Sequence, residues 1–393
     1  MTSTAPAEIP TSTSQARVAV LLVFAMNGLV FASWISRIPA VRDDLELTSS
    51  ALGLVLLAMS TGAVLALPLS GAVVVRLGPA GTVRVASVIA VVGLALAGLA
   101  PSVSVLVVGL FLMGLGSGSW DVAMNVEGAE VERRLGHAVM PHFHAAFSVG
   151  TVVGALVGAG LNAVALATEV HLVTIAVLAG AATLWACRRF LPDLVVPAGE
   201  PVPERRNPLA AWKEPRTLLI GLLVMAFAFT EGSANDWLAL AMVDGYGLSN
   251  AGGVLAFALF VTAMTVGRLL GTRLLDRYGR VVVLRATAVV ALAGLLLVIV
   301  GGSVPLALAG AVLWGLGASL GFPVGMSAGA DDPEHAAGRV SVVSSIGYTA
   351  FLAGPPLIGF LADHIGVLSA LWVVLAVLAI GVVTAGVTRE PAR

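Results

Sequence analysis

Twelve long apolar segments follow one another along this chain, and few of their residues carry a charge. A helix rises 1.5 Å per residue, so about 20 apolar residues cross the roughly 30 Å of hydrocarbon in a bilayer. Unpaired backbone groups are costly in lipid, which makes helices the structure such segments adopt. The predicted spans, numbered as helices 1 to 12, are 18–40, 51–74, 83–101, 103–127, 141–163, 170–187, 217–241, 251–271, 281–301, 304–328, 340–362 and 367–387.

Composition supports lipid as the solvent for much of this chain. Hydrophobic residues make up 58% of it and charged residues 11%, whereas a soluble domain carries about 25% charged residues. The alternative is ten or eleven spans with one apolar run buried as a re-entrant segment, and the short sixth span is the weakest of the twelve. The sequence therefore predicts an all-α membrane protein with twelve transmembrane helices.

The arginines and lysines predict an orientation. Twelve spans place both termini on one side, and 18 of the 21 Arg and Lys residues fall on that side. Arg37 and Arg42 fall on the other side, and Arg268 lies within a span. Cytoplasmic loops are enriched in cations, so we expect a multi-pass protein of a bacterial plasma (inner) membrane, with both termini cytoplasmic.

The two halves of the chain resemble each other at an offset of 201 residues. The segment 109–125 aligns with 310–326, and Arg76, Gly78 and Arg84 align with Arg277, Gly279 and Arg285. Two parallel repeats with a binding site between them are a known transporter plan. We therefore predict two pseudo-symmetric six-helix bundles: a disordered cytoplasmic tail at 1–16, bundles at 17–187 and 217–388, a cytoplasmic linker at 188–216 and a short tail at 389–393.

The loop between helices 8 and 9 resembles the cytoplasmic motif of the major facilitator superfamily, Gly-x-x-x-Asp-Arg-x-Gly-Arg. Thr272 stands in place of the leading glycine, and in the first half Val75 and Pro79 replace the acid and the last arginine. An acid and arginines at helix ends can pair with each other and with helix dipoles, so the first-half clasp must be weaker or built differently. The motif residues of the second half are Asp276, Arg277, Gly279 and Arg280.

Three further segments resemble the fucose-permease-like branch of that superfamily, which includes the rhizopine-associated membrane proteins. They are 33–39 (SWISRIP), 119–125 (SWDVAMN) and 141–147 (PHFHAAF). The resemblance implies the major facilitator fold, alternating access, a cavity lined by helices 1, 4, 7 and 10, and sugar-like cargo.

Ionisable residues within spans are candidates for function by default, because they are costly there. Glu231 of helix 7 is near the midplane, and Asp121 of helix 4 shares a face with Asn125. Either carboxyl could exchange a proton and couple it to cargo movement, which is the interpretation we favour. The alternative is a structural acid, with Asp121 at a glycine-lined helix contact. His144 in helix 5 could relay protons or simply be solvated. We predict Glu231, Asp121 and His144 as proton-coupling residues.

Aromatic and amide side chains on the cavity helices predict a site for a sugar-like solute, since rings stack on sugar faces and amides bind hydroxyls. A tryptophan can instead anchor a helix at the membrane interface, which applies to Trp34 above all. The predicted cargo-binding residues are Asn27, Phe31, Trp34, Trp120, Asn125, Asn235, Trp314, Phe322 and Tyr348.

These residues predict a secondary transporter, not an enzyme. Cys187 is the only cysteine, which excludes intramolecular disulfides, and the chain has no phosphate-binding loop, metal signature or nucleophile motif. We expect no metal or other cofactor, no nucleic acid, and a monomer in the lipid bilayer whose partners are protons and a small solute.

Three functions fit, in this order. The first is proton-coupled symport of a small polar, sugar-like solute. The second is a drug–proton antiporter that exports amphipathic compounds, although helix 5 has Ala155 where antiporters often have proline after Gly-x-x-x-Gly. The third is a receptor or scaffold that no longer transports, which would not need polar groups on the cavity helices.

Overall fold

The computed structural model describes residues 12–47, 49–164, 166–192 and 208–390, and helices make up most of these ranges, which contain no strand. The N-terminal half consists of helix 1 (Thr13–Ile35), a continuous helix (Ser49–Gly98), helix 4 (Val103–Leu135), helix 5 (Met140–Ala163) and helix 6 (Thr168–Ala186). A short helix, Ile38–Asp44, follows helix 1.

The C-terminal half repeats this pattern. It consists of helix 7 (Pro215–Tyr246), helix 8 (Asn250–Tyr278), helix 9 (Arg280–Val300), helix 10 (Val304–Ala318, continued by Gly321–Gly329), helix 11 (Ala336–Ile365) and helix 12 (Val367–Ala370 and Trp372–Thr384).

The described ranges contain eleven helices long and apolar enough to cross a membrane. One of them, Ser49–Gly98, has a single non-helical residue at Gly78, with φ 70° and ψ 167°. The chain therefore folds back at this point, and the segments on either side, 49–77 and 79–98, are helices 2 and 3. The prediction of twelve spans in two six-helix bundles is confirmed.

Gly78 has a counterpart in the second half. Gly279 separates helices 8 and 9 and adopts φ 76° and ψ 162°, nearly the same conformation. A positive φ is unfavourable for residues with a Cβ, so both turns require glycine. Because the two glycines are 201 residues apart, the backbone follows the repeat seen in the sequence.

Helix 1 begins at Thr13, earlier than the predicted start at residue 18. Ser12 and Gln15 form a capping box, in which the Gln15 backbone N–H donates to Ser12 Oγ (3.2 Å) and the Ser12 backbone N–H donates to Gln15 Oε1 (3.4 Å). This pair provides hydrogen-bond partners for two of the free N–H groups at the helix start. Residues 13–16, which the sequence predicts as part of the tail, therefore belong to the helix. Residues 1–11, 193–207 and 391–393, which hold much of the predicted tails and linker, lie outside the described ranges.

The end of the molecule that carries the segments flanking the linker is called here the linker end, and the opposite end the far end. The flanking segments are the 3-10 helices Cys187–Arg189 and Pro208–Lys213. Within the described part of the chain, the hydrogen bonds that join the two bundles lie in the linker-end halves of the helices. The bundles are thus closed against each other at the linker end.

Helices 2 and 11 form one of the two seams at the linker end, and they approach through backbone. The Ser341 hydroxyl donates to the Leu67 carbonyl oxygen (2.5 Å). A Cβ at Gly71 would lie 2.8 Å from the Ala337 carbonyl oxygen and 3.0 Å from the Gly338 Cα. Only glycine fits at position 71 while this seam is closed.

We therefore expect Gly71→Val to destabilise the closed molecule by about 1–3 kcal/mol, the usual cost of overpacking. The measurement is thermal unfolding of the purified protein, followed with a thiol-reactive fluorogenic dye that reports exposure of the buried Cys187. Gly160→Ala is the control, because a Cβ at Gly160 would have no neighbour within 4 Å. Equal unfolding temperatures for wild type and Gly71→Val would contradict the close approach.

Candidate functional site

Asp121, Asn125 and His144 form a buried polar chain in the N-terminal bundle. Asn125 lies one turn after Asp121 in helix 4, and its Nδ2 donates to the Asp121 carbonyl oxygen (2.9 Å) and to Asp121 Oδ1 (3.3 Å). The Asn125 Oδ1 lies 3.1 Å from His144 Nε2 in helix 5. Since an amide oxygen only accepts, this bond assigns the proton of a neutral His144 to Nε2.

Asp121 is 6% exposed and has no cationic partner among the described residues. Its Oδ2 is buried and makes no hydrogen bond there. Tyr348 of helix 11, in the other bundle, is close enough for its hydroxyl to interact with Asp121, and it is also near Glu231. A predicted carboxyl from each bundle therefore lies near the same phenol.

The glycines of helix 4 lie at a helix contact. A Cβ at Gly118 would lie 3.2 Å from the Ala63 carbonyl oxygen of helix 2, and Gly114 lies still closer to the backbone of Met59. The small residues thus form a seam between helices 2 and 4. Asp121 is bonded to Asn125 and lies close to Tyr348, so it does not belong to this seam.

Glu231 is paired with Arg268 of helix 8, a cation within a span for which the sequence predicts no role. The Arg268 guanidinium donates from Nη2 to Glu231 Oε2 (2.9 Å), from Nη1 to Ser148 Oγ (2.7 Å) and from Nε to the Ser319 carbonyl oxygen (3.3 Å). Helix 10 is interrupted just after Ser319, which leaves that carbonyl free to accept. The signal for Arg268 was available, because a cation inside a span almost always has a partner there.

A row of aromatic rings crosses from one bundle to the other. His144 contacts Phe24 and Phe322 edge-on, with ring centroids 5.1 Å and 5.4 Å away. Tyr348 in turn contacts Phe322 (6.3 Å) and Phe351 (5.8 Å). The structure thus brings together His144, Phe322 and Tyr348, as the predicted site requires, and adds Phe24 and Phe351, which the helix spacing did not single out.

The three predicted tryptophans are packing residues in this conformation. Trp34, Trp120 and Trp314 are each 0% exposed. Trp34 lies in a hydrophobic cluster with Leu94, Leu106 and Leu172, so it is not an interfacial anchor. Trp314 packs edge-on against Phe260 of helix 8, with ring centroids 5.5 Å apart. None of these side chains is open to a solute here.

The remaining predicted residues are spread along helices 1 and 7. Asn27 is buried, and its Nδ2 lies 3.9 Å from Met124 Sδ. Phe31 is half-buried, while Asn235, one turn beyond Glu231, is exposed. An exposed amide on the same face as a buried ion pair fits the wall of a water-filled space, because an amide facing lipid would lack partners.

The loop-motif residues differ in what they bind. Asp276 Oδ1 accepts from the Ala138 backbone N–H of the other bundle (2.8 Å). Arg280 pairs with Asp331 (2.6 Å) and lies 3.9 Å from Glu132, which also accepts from the Ser327 hydroxyl. The motif therefore joins the bundles through Asp276 and through Glu132, an acid at the end of helix 4. Gly279 forms the turn described above, and Arg277 lies exposed over the Tyr278 ring.

Two acids outside the spans fix the linker end of helix 11. Arg339 pairs with Glu214 (2.6 Å) and with Asp332 (3.2 Å). Burial by itself would raise the pKa of Glu214, but hydrogen bonds from Arg339 and Thr217 hold this pKa below its usual value. Burial likewise opposes ionisation of Asp332, and His335 and Arg339 together lower its pKa. Both carboxylates therefore stay ionised at neutral pH.

The sequence profile of the Major Facilitator Superfamily matches residues 20–341 and 221–393, which together span most of the chain. The chain belongs to the major facilitator superfamily. It is therefore a multi-pass membrane transporter rather than an enzyme, as the sequence predicts.

Two similar proteins come from bacteria. The chain is 33% identical over 346 residues to an uncharacterized transporter, y4wD, of Sinorhizobium fredii, covering 86% of this chain and 89% of that one. It is 28% identical over 370 residues to the membrane protein MosC of Rhizobium meliloti, covering 93% and 88%. The fold is similar to the fucose:proton symporter FucP solved in an outward conformation, with TM-score 0.80, 16% identity and coverage of 95% and 99%. The resemblance drawn from the sequence is confirmed.

The Glu231–Arg268 pair predicts a characteristic pattern of stabilities. Removing one partner leaves a buried charge without a counter-ion, which costs about 3–5 kcal/mol, whereas removing both can be nearly neutral. We expect Glu231→Gln and Arg268→Gln each to lower the unfolding temperature, and the double variant to recover most of the loss. Dye-detected unfolding at Cys187 measures all three.

The hydroxyl of Thr265, one turn before Arg268, bonds to its own helix backbone at Val261 (2.9 Å). Thr265→Val is therefore the control and should unfold close to wild type. If the double variant is as unstable as the sum of the single variants, the two residues do not form an energetically coupled pair.

Proposed function

We propose that this transporter is a proton-coupled symporter of a small, neutral, polyhydroxylated solute, and that Asp121 carries the proton. The observation that carries the proposal is the environment of Asp121, a carboxyl buried between the bundles. Among the described residues, its Oδ2 has no hydrogen-bond partner and no cation pairs with it. An ionised carboxylate in such a place is costly, and a proton that enters with the solute would remove its charge. The similarity to FucP, a fucose:proton symporter, agrees with this proposal.

Glu231 has a different role in this proposal from Asp121. Its carboxylate is 2.9 Å from the Arg268 guanidinium, so protonation would leave Arg268 buried without its counter-ion. Removing the charge of Glu231 would therefore break an ion pair, whereas Asp121 has no cationic partner in the part of the chain that the structure describes. We assign the proton to Asp121 and a fixed charge to Glu231.

The charge balance of the site supports a neutral cargo. Glu231 and Arg268 cancel, and a protonated Asp121 adds no charge. The groups left to contact a solute are hydrogen-bonding and aromatic: Tyr348 and Phe322 near the midplane, and Asn235 towards the far end. Hydroxyl-rich rings have polar edges and apolar faces that match such a set.

In the proposed cycle the linker end is cytoplasmic, and the structure represents the state closed to the cytoplasm. Solute and proton would enter from the far end and reach Tyr348 and Asp121, which belong to different bundles. Neutralising Asp121 removes the need to hydrate this carboxyl, so that the bundles can rock about the site and release both at the linker end. We further propose the bundle boundaries 17–187 and 217–388, with the stretch 188–216 as the connection.

Two steps test the proposal in proteoliposomes. Sugars, cyclitols, organic acids and cationic drugs are first screened for a raised unfolding temperature, because ligands stabilise the state that they bind. The strongest neutral hit, added outside, should then draw protons inward. Asp121→Asn should abolish accumulation driven by a proton gradient and spare exchange of labelled solute, since exchange needs no net proton movement.

Asp363→Asn is the matched control, because Asp363 is an exposed carboxyl in the far end of helix 11. It should accumulate solute as the wild type does. Protons that move outward as the solute enters would show antiport instead, and unchanged accumulation by Asp121→Asn would remove Asp121 from the coupling role.

A further inference from the structure

Helix 8 carries three polar residues at intervals of four, and each meets the N-terminal bundle. Arg268 Nη1 donates to Ser148 Oγ (2.7 Å), Thr272 Oγ1 lies 3.4 Å from His142 Nε2, and Asp276 Oδ1 accepts from the Ala138 N–H (2.8 Å). Residues four apart share one face of a helix. These three residues, called here the helix 8 row, run from the membrane interior to the linker end.

The partners of the row follow the opposite order in the chain, as antiparallel helices require. Helix 5 starts at the linker end, so Ala138, His142 and Ser148 lie progressively deeper. His142 Nε2 also donates to the Leu269 carbonyl oxygen (3.2 Å), since the Arg17 guanidinium occupies Nδ1 as donor (3.4 Å). The row and its partners therefore form the second seam that closes the linker end.

Arg268 differs from the other two members of the row, because it also binds Glu231. The Ser148 hydroxyl donates its proton to the His144 carbonyl oxygen (3.1 Å), so it can only accept from Arg268. The guanidinium is a rigid planar group with donors in fixed directions. The guanidinium can therefore bond to Glu231, Ser319 and Ser148 at the same time only within a narrow range of positions.

We propose that Arg268 is a positioning residue that ties the carboxylate of Glu231 to the closure of the linker end. Glu231 fixes the guanidinium within one bundle, and the guanidinium in that position binds Ser148 of the other. If Glu231 is displaced or neutralised, Arg268 can bind a different acceptor. Its bond to Ser148 is then lost, and the deepest contact of the seam opens. This inference depends on alternating access alone and holds for any coupling ion or cargo.

The test measures the separation of the bundles without added solute. Spin labels are placed at His137→Cys and Arg273→Cys, two exposed positions at the linker ends of helices 4 and 8, in a Cys187→Ala background. Double electron–electron resonance in liposomes then reports the distribution of distances between the bundles. In this background, Ser148→Ala should raise the ratio of the long to the short distance about tenfold, the effect expected for a lost charged hydrogen bond.

Thr151→Val is the matched control on helix 5, because the Thr151 hydroxyl donates to the Phe147 carbonyl oxygen of its own helix (3.0 Å) and has no other partner among the described residues. It should leave the distribution unchanged. Glu231→Gln should lengthen the distances as Ser148→Ala does, although Glu231 itself makes no bond to the described residues of the other bundle.

Combining the two substitutions separates the proposal from a merely structural seam. If Glu231 acts through Arg268 on Ser148, the double variant Glu231→Gln/Ser148→Ala should open no further than either single variant, because both remove the same contact. A distribution for Ser148→Ala equal to wild type overturns the proposal, as do strictly additive effects of the two substitutions. Neither result bears on proton symport, which the solute experiments test separately.

Discussion

The closed state of this transporter depends on one buried guanidinium, because the groups that accept its hydrogen bonds come from both bundles. Arg268 is 4% exposed, and its counter-ion Glu231 lies on another helix of the same bundle. Taking a cation out of water costs several kcal/mol unless a carboxylate and further acceptors replace the lost hydration. Glu231, Ser319 and Ser148 supply these acceptors, and the third comes from the opposite bundle. The electrostatic requirement of one side chain thus becomes a constraint on how two domains sit together.

Much of the fold could be predicted from the sequence, because the membrane imposes a length and a polarity on each span. The repeat located Gly78 and Gly279, whose positive φ values leave no choice of residue. The site was predictable in part, since Asp121 and Glu231 stand out as costly groups. The sequence does not predict Arg268 as the partner of Glu231. The two residues are 37 positions apart, and the sequence does not show which face of helix 8 points towards helix 7. The burial of the three tryptophans in this conformation could not be predicted for a related reason: spacing shows that residues share a face but does not show whether that face meets water or a packed neighbour.

The two seams at the linker end are built differently, although the bundles descend from a common pattern. At the offset of 201 residues, Arg268, Thr272 and Asp276 correspond to Leu67, Gly71 and Val75. The first set forms side-chain hydrogen bonds with helix 5 and the loop before it, and the second set includes a glycine packed against the backbone of helix 11. The missing acid at Val75 is therefore matched by a seam that relies on close approach instead of charge.

Because of this asymmetry, the two seams differ in what happens to their contacts when the helices separate. Side chains that hydrogen-bond can change partners while their helices separate, but a backbone pressed against another backbone has nothing to exchange. Release at the linker end requires both seams to separate, but only the polar contacts along helix 8 can pass their hydrogen bonds to new partners as they do so. Repeats that are alike in architecture can in this way close one end of a transporter with two kinds of contact, one exchangeable and one purely steric.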